Sequence, residues 1–167
     1  MQKQHHPPDK WRDAVFAAVA LIVVLADQLS KWWIRANLVV GQTLWDAGFF
    51  QIIHVQNTGV AFGFFKDHTS IIIVLVFIEI IVLLLVVFFL RNRLAFLDGW
   101  LLRIGLGLIT GGAIGNQIDR LRLGHVTDFL DFKVWPTFNA ADASAVVGCI
   151  IIVFAIIFLT KWAGRGQ

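Results

Sequence analysis

Apolar runs long enough to cross a bilayer alternate along this chain with short polar stretches, and that alternation leaves few folds open. The runs cover residues 14–34, 70–90, 100–117 and 141–160. A hydrocarbon core about 30 Å thick takes about 20 helical residues, and a backbone without water must satisfy its own hydrogen bonds. Helices are the economical answer. The expected fold is therefore an all-α polytopic membrane protein with four transmembrane helices. The composition agrees: 58% of the 167 residues are hydrophobic and the mean hydropathy is +0.77, both concentrated in the runs rather than spread evenly.

The net charge of +3 does not point to nucleic acid, because the cations sit at the ends of apolar runs, where they orient a membrane chain. Lys3, Lys10, Arg12, Arg91, Arg93, Arg103, Lys161 and Arg165 fall on one side, against Lys31, Arg35, Lys66, Arg120, Arg122 and Lys133 on the other. That excess places both termini in the cytoplasm. A basic start before the run Ala14 to Ala26 imitates a cleavable signal, but no small-residue cleavage site follows and the helix continues through Asp27, Gln28 and Lys31. Trp11 and Trp32, about 32 Å apart at helical rise, suit the two interfaces. Residues 1–12 are expected to lack structure. Cys149 lies alone within an apolar run, and His5, His6, His54, His68 and His125 lack ligand spacing, so neither a disulfide, a metal nor a cofactor is expected.

Two external segments join the spans. In residues 36–68, alternation through Phe49, Gln51, Ile53 and Val55 predicts a small β-sheet lying on the membrane surface. Its tip, from Asn57 through Gly59 to Gly63, is read either as a plain hairpin turn or as a grip on an extended peptide. In residues 120–139, Val126, Asp128 and Leu130 alternate with Thr127, Phe129 and Asp131, so Asp128 and Asp131 face opposite ways and at most one enters a given cleft. Asn139 then stands as the N-cap of the last helix, with Asp142 at its third position. In the third span, Gly111 and Gly115 have the spacing of a close helix contact.

Ionisable groups at membrane depth are expensive, which makes them functional candidates. Asp27 and Lys31 share a helix face, either as a structural ion pair or as a substrate contact. Asn116, Asp119 and Arg120 form a polar face where the third span surfaces. With Asn57, Asp128, Asn139 and Asp142 they converge on the outer interface. Asp128 and Asp142 are read as two carboxylates in low dielectric that share a proton, one activating water while the other protonates the carbonyl oxygen or leaving amine of a peptide bond. The bland readings are a helix cap worth about 1 kcal/mol for Asp142 and a solvated loop acid for Asp128. Glu79, alone in the second span, is either hydrogen-bonded to a neighbouring helix or part of a proton path, which would suit a small proton-coupled transporter or assembly factor.

The segments Asp27-Gln28-Leu29-Ser30-Lys31, Asn57-Thr58-Gly59-Val60-Ala61-Phe62-Gly63, Gly111 through Arg120, Gly124-His125-Val126-Thr127-Asp128-Phe129 and Phe138-Asn139-Ala140-Ala141-Asp142 resemble, in order, those of lipoprotein signal peptidase, or signal peptidase II. The resemblance covers nearly the whole chain. It implies a bacterial cytoplasmic-membrane aspartic endopeptidase that removes signal peptides from lipid-modified prolipoproteins, cutting before the diacylglyceryl-modified cysteine. It implies Asp128 and Asp142 as the catalytic pair. Asn57, Gly59, Asn116, Asp119, Arg120, Asn139, Asp27 and Lys31 match substrate-binding or supporting positions. Membrane lipids, globomycin-like inhibitors in the same cleft and a monomeric state are further expectations. Glu79 belongs to none of these motifs. A helix N-terminus favours negative charge, so Asp142 is expected to be ionised and Asp128 to carry the proton.

Overall fold

The computed structural model describes residues 10–59, 69–85, 87 and 99–163. In chain order these form α1 (Lys10–Asn37), β1 (Thr43–Asp46), β2 (Gln51–Asn57), α2 (Thr69–Leu85), α3 (Trp100–Leu123), β3 (Val126–Asp131) and α4 (Ala140–Ala163). The leader up to residue 9, the glycine tip beyond Gly59, and Arg91, Arg93 and Arg165 lie outside the described residues. Residues 10–12, expected with the leader, already belong to α1.

Pairwise contacts fix the helix directions. Asp13 meets Arg103 at 3.4 Å near one end of α1, and Lys31 donates to Asn116 Oδ1 at 2.8 Å near the other, so α1 and α3 run parallel. Gln117 donates to the Ile73 carbonyl and Arg103 to the Val87 carbonyl, both at 2.9 Å, so α2 runs against α3. A Cβ on Gly148 would lie 2.6 Å from the Gly105 carbonyl, and Gly112 abuts Ala141, so α4 also runs against α3. The bundle alternates up and down.

Central α3 packs against each of the other three helices, and small residues make this possible. Gly111 faces α1, where a Cβ would stand 2.7 Å from both the Ala20 carbonyl and Val23 Cβ. Gly112, one residue on, faces α4 instead. Length and apolarity mark two helices as able to cross a bilayer, Trp11–Asn37 and Ala140–Ile157, with Ser70–Leu85 apolar but shorter. α3 does not read as a plain span because its C-terminal half carries Asn116, Gln117, Asp119, Arg120 and Arg122. It also runs past Gln117, the end expected from hydropathy, because Asp119 and Arg120 find partners inside the protein. It stops at Gly124, whose φ of 76° is the left-handed conformation that closes a helix.

The three strands form one antiparallel sheet in the order β1-β2-β3, beside the shared end of α1 and α3. Beneath it, Ile34, Leu38 and Phe129 form a buried cluster with Ile52, Leu130 and Ala140 against them. His54 Nδ1 lies 2.9 Å from the Leu38 carbonyl just after α1. A carbonyl only accepts, so Nδ1 carries the proton and the sheet closes the end of the helix.

Replacing Gly111 by Leu should push α1 from α3 and cost about 1–3 kcal/mol by overpacking. Thermal unfolding of the detergent-solubilised protein should show a midpoint several degrees lower. Ile150→Leu, on the exposed side of α4, should leave it in place.

Candidate active site

At the sheet end of the bundle a cleft of about 680 Å³ is lined by Asn57, Gly59, Asn116, Arg120, Asp128 and Asp142 among its polar groups. Val55, Val126, Trp135, Pro136 and Phe138 supply an apolar wall, and Ala145 and Val146 continue it down α4. Four elements supply the polar side chains of the cleft: Asn57 from the end of β2, Asp128 from β3, Asn116 and Arg120 from α3, Asp142 from the first turn of α4.

Asp128 is 2% exposed, and both its oxygens are held. Asn139 Nδ2 donates to Oδ1 at 2.7 Å and Asn57 Nδ2 to Oδ2 at 2.9 Å. Asp142 is held equally, by Asn116 Nδ2 on Oδ1 at 2.8 Å and the Asn139 backbone N–H on Oδ2 at 3.2 Å. The Asp142 N–H returns to Asn139 Oδ1 at 3.1 Å, which completes a reciprocal cap. Capping and cleft position therefore coexist at Asp142.

One amide chain connects the two acids. Asn116 Oδ1 accepts from Asn139 Nδ2 at 3.0 Å, and Asn139 Nδ2 reaches on to Asp128. Burial raises the Asp128 carboxyl, the neighbouring charge of Asp142 raises it further, and the amides of Asn57 and Asn139 and the charge of Lys31 pull back, leaving it pushed up to about 7. Such a carboxyl is divided between its protonated and ionised forms near neutral pH, so it can both give and take a proton. That suits general acid–base work on a polar bond.

The other residues expected at the site stand behind this front. Asp27 and Lys31 are fully buried and pair at 2.8 Å. Asp27 Oδ1 also accepts the Ala141 N–H at 3.0 Å, so it caps α4 from α1. This favours the structural reading of the pair. Asp119 accepts the Thr127 N–H at 3.0 Å and lies 3.6 Å from Lys31 Nζ, tying α1, α3 and β3 together beside Asp128. Arg120 lines the cleft and donates to the Gly59 carbonyl at 3.4 Å. Asn57 Oδ1 accepts the Gly59 N–H at 2.9 Å, which bends the chain after β2 as a turn would. Asp131, facing away from Asp128, accepts from Gln51 instead.

Sequence reasoning passed over three supports. Gln28 donates to the Gly115 carbonyl at 3.0 Å and contacts Asp27 and Asp119. Arg35 reaches Asp119 at 3.4 Å and Thr127 Oγ1 at 3.0 Å. Arg35 was within reach of pattern reading, since Asp27, Lys31 and Arg35 recur every fourth residue on one helix face. Thr127 carried no such signal. Glu79 has no hydrogen-bond or ion-pair partner among the described residues, so the expected bond to a neighbouring helix is absent there. Ser144 Oγ donates to the Ala140 carbonyl at 2.8 Å, which occupies it within its own helix.

Comparison with known proteins identifies relatives of the whole chain. A sequence model described as Signal peptidase (SPase) II matches residues 19–158. Lipoprotein signal peptidase from Dehalococcoides mccartyi strain 195 is 48% identical over 156 residues, 93% of this chain and 96% of its own. That from Moorella thermoacetica is 41% identical over 151 residues, 90% and 97% of the two chains. Among solved structures, a bacterial membrane enzyme superposes with a TM-score of 0.78 at 28% identity, covering 88% of this chain and 90% of that one. With a family match over most of its length and relatives this near, the chain belongs to the signal peptidase II family.

Proposed function

We propose that this protein is a membrane-embedded aspartic endopeptidase that removes the signal peptide from lipid-modified prolipoproteins, cleaving before the diacylglyceryl-modified cysteine. The observation that carries it is the pairing of Asp128 and Asp142 on one cleft, each with both carboxylate oxygens fixed by donors. Asp142, at the start of α4, is the ionised member, and Asp128 holds the proton. Water attacks the scissile carbonyl carbon and yields a proton to Asp142, while Asp128 gives its proton to the carbonyl oxygen. Asp142 then protonates the leaving nitrogen as the carbon–nitrogen bond breaks, and Asp128 recovers the hydroxyl proton. Neither a metal nor a covalent intermediate takes part. Asn57, Gly59 and Arg120, along the cleft rim, bind the unwound peptide around the cut bond, while Asn116, Asn139, Asp119, Asp27 and Lys31 hold the pair.

The substrate is itself an apolar helix with a lipid-bearing cysteine at the outer leaflet. A cleft at the rim of a helical bundle, running down α4 as far as Val146, lets the acyl chains stay in lipid. We place all four helices across the bacterial cytoplasmic membrane as a monomer, both termini cytoplasmic and the sheet on the outer surface. The alternating directions of α1 to α4 support this. A globomycin-like peptide would occupy the same cleft.

Asp128→Asn and Asp142→Asn should each lower cleavage of a lipidated prolipoprotein by about a hundredfold or more, while leaving the thermal unfolding midpoint near that of the wild type. Full activity in either variant removes the dyad from the mechanism. The pH profile of kcat/KM is a second check. Above about 7 Asp128 loses the proton it must donate, and the rate should fall. Asn57 stabilises the ionised form, so Asn57→Ala should raise the Asp128 pKa and move the alkaline limb to higher pH. A limb that stays or moves down contradicts the assignment.

A further inference from the structure

Arg35, the last charged residue of α1, takes no part in lining the cleft, and 25% of its side chain is exposed. Its guanidinium nevertheless turns inward. Nη1 donates to Thr127 Oγ1 at 3.0 Å and stands 3.4 and 3.5 Å from the two oxygens of Asp119. Both partners are buried, and each leads to one acid of the pair. Thr127 precedes Asp128 on β3, and successive side chains of a strand point to opposite faces, so a hold on Thr127 from behind fixes the aim of Asp128 into the cleft. Asp119 leads to Asp142 by way of Lys31 and Asn116. Lys31 has three donors and places two of them at 2.8 Å, on Asp27 Oδ2 and Asn116 Oδ1, while Asp119 Oδ2 waits at 3.6 Å, too far for a hydrogen bond. Asn116 then donates to Asp142 Oδ1 at 2.8 Å. A buried carboxylate needs a countercharge, and for Asp119 the cations at hand among the described residues are Lys31 and Arg35.

We propose that Arg35 is a positioning residue for both acids: it offsets the charge of Asp119, so that Lys31 stays on Asn116 and Asn116 on Asp142, and it holds Thr127, so that Asp128 faces the cleft. This rests on the peptidase reading above. Without the guanidinium, Lys31 alone answers the buried charge of Asp119. A shift of under about 1 Å brings the ammonium within hydrogen-bond distance of Asp119 and draws it off Asn116 Oδ1, the atom that decides which end of that amide faces Asp142. The strand is released at the same time, because Thr127 keeps its backbone bond to Asp119 at 3.0 Å but loses the one on its hydroxyl. A guanidinium nitrogen carries two N–H groups, enough for one partner each, in a fixed plane. Lysine brings the charge on a looser stem and reproduces this in part. Arg35 touches neither carboxylate and no part of the cleft wall, so its influence falls on how the acids are presented rather than on how the peptide is held.

The test measures cleavage of a lipidated prolipoprotein by the full-length enzyme in lipid nanodiscs, with kcat expressed per folded molecule. Arg35→Met, which keeps the apolar stem, should lower kcat about tenfold and leave KM within about twofold of wild type. Arg35→Lys should fall between the two. Thr127→Val, which removes only the hydroxyl that Arg35 holds, should lower kcat about threefold. Adding Asp119→Asn to Arg35→Met removes the charge that draws Lys31 away, while the amide oxygen still accepts the Thr127 N–H, so about threefold of the lost kcat should return. Were Arg35 only a brace, the second change would deepen the loss, and that result overturns the proposal. So does a kcat for Arg35→Met within about twofold of wild type, or a loss confined to KM, which belongs to a substrate contact. If Arg35→Met does not fold, Arg35→Lys and Thr127→Val decide the matter, since wild-type kcat in both ends it. A wild type that cleaves no lipidated prolipoprotein ends the peptidase reading first, and this inference with it.

Discussion

A single buried ammonium fixes the polarity of the whole site. Lys31 is fully buried, and its Nζ stands 2.8 Å from Asp27 Oδ2, 2.8 Å from Asn116 Oδ1 and 3.6 Å from Asp119 Oδ2. An ammonium has donors only, so the atom Asn116 turns to it must be the carbonyl oxygen, and the amide nitrogen is left for Asp142. The same oxygen accepts from Asn139, which obliges Asn139 to present its nitrogen there and to Asp128, and its oxygen to the Asp142 N–H. Reversing one amide would face donor with donor along the chain. A buried ion pair is weak support for stability in itself, and removing one partner typically costs about 3–5 kcal/mol because the other charge stays buried. Here the pair yields orientation.

The start of α4 shows why such a site can be stable. The first turn of a helix leaves backbone donors without intrahelical partners, and in a membrane protein they cannot all look to water. Asp27 takes the Ala141 N–H from α1, and Asn139 takes that of Asp142. The groups that satisfy the helix end are the same groups that orient the two acids. Choosing between a helix cap and a cleft group for Asp142 from sequence posed a false alternative, because one geometry gives both.

The parts legible in the sequence were those set by local periodicity. Apolar runs gave the helices, the alternation around Ile53 and Val126 gave strands, and Asn139 followed by Asp142 gave a helix start that the structure contains. Less legible was whatever depends on partners from distant segments. Hydropathy stopped the third span at Gln117, yet α3 continues to Leu123 because Asp119 and Arg120 are satisfied by β3 and by the turn after β2. Glu79 was read as either bonded to a neighbouring helix or part of a proton path, whereas among the described residues it lines a small cavity beside Asn116, Arg120 and Asp142 without a partner. Thr127 reads as an ordinary strand residue until Arg35 and Asp119 arrive from two other elements.

The sheet has a mechanical role that its small size conceals. Asp128 lies on β3, and two residues later Leu130 bridges to Phe138, exchanging hydrogen bonds of 2.8 and 2.9 Å, with the Phe129 N–H also on the Phe138 carbonyl at 3.0 Å. Asn139 follows Phe138 directly and caps the turn that carries Asp142. The relative position of the two acids is thus set within one short loop of chain, closed by this bridge, rather than by the packing of α3 on α4. The loop is braced from outside. Trp45, Phe50, Phe132 and Phe138 stand in sequence with ring centroids 5.9, 4.9 and 5.9 Å apart, and Lys133 grips Asp46 at 2.8 Å. A substrate prying the cleft open would have to strain that brace before it could separate the carboxylates. The spacing of the two carboxylates therefore depends on this closed loop and its brace, not on helix packing alone.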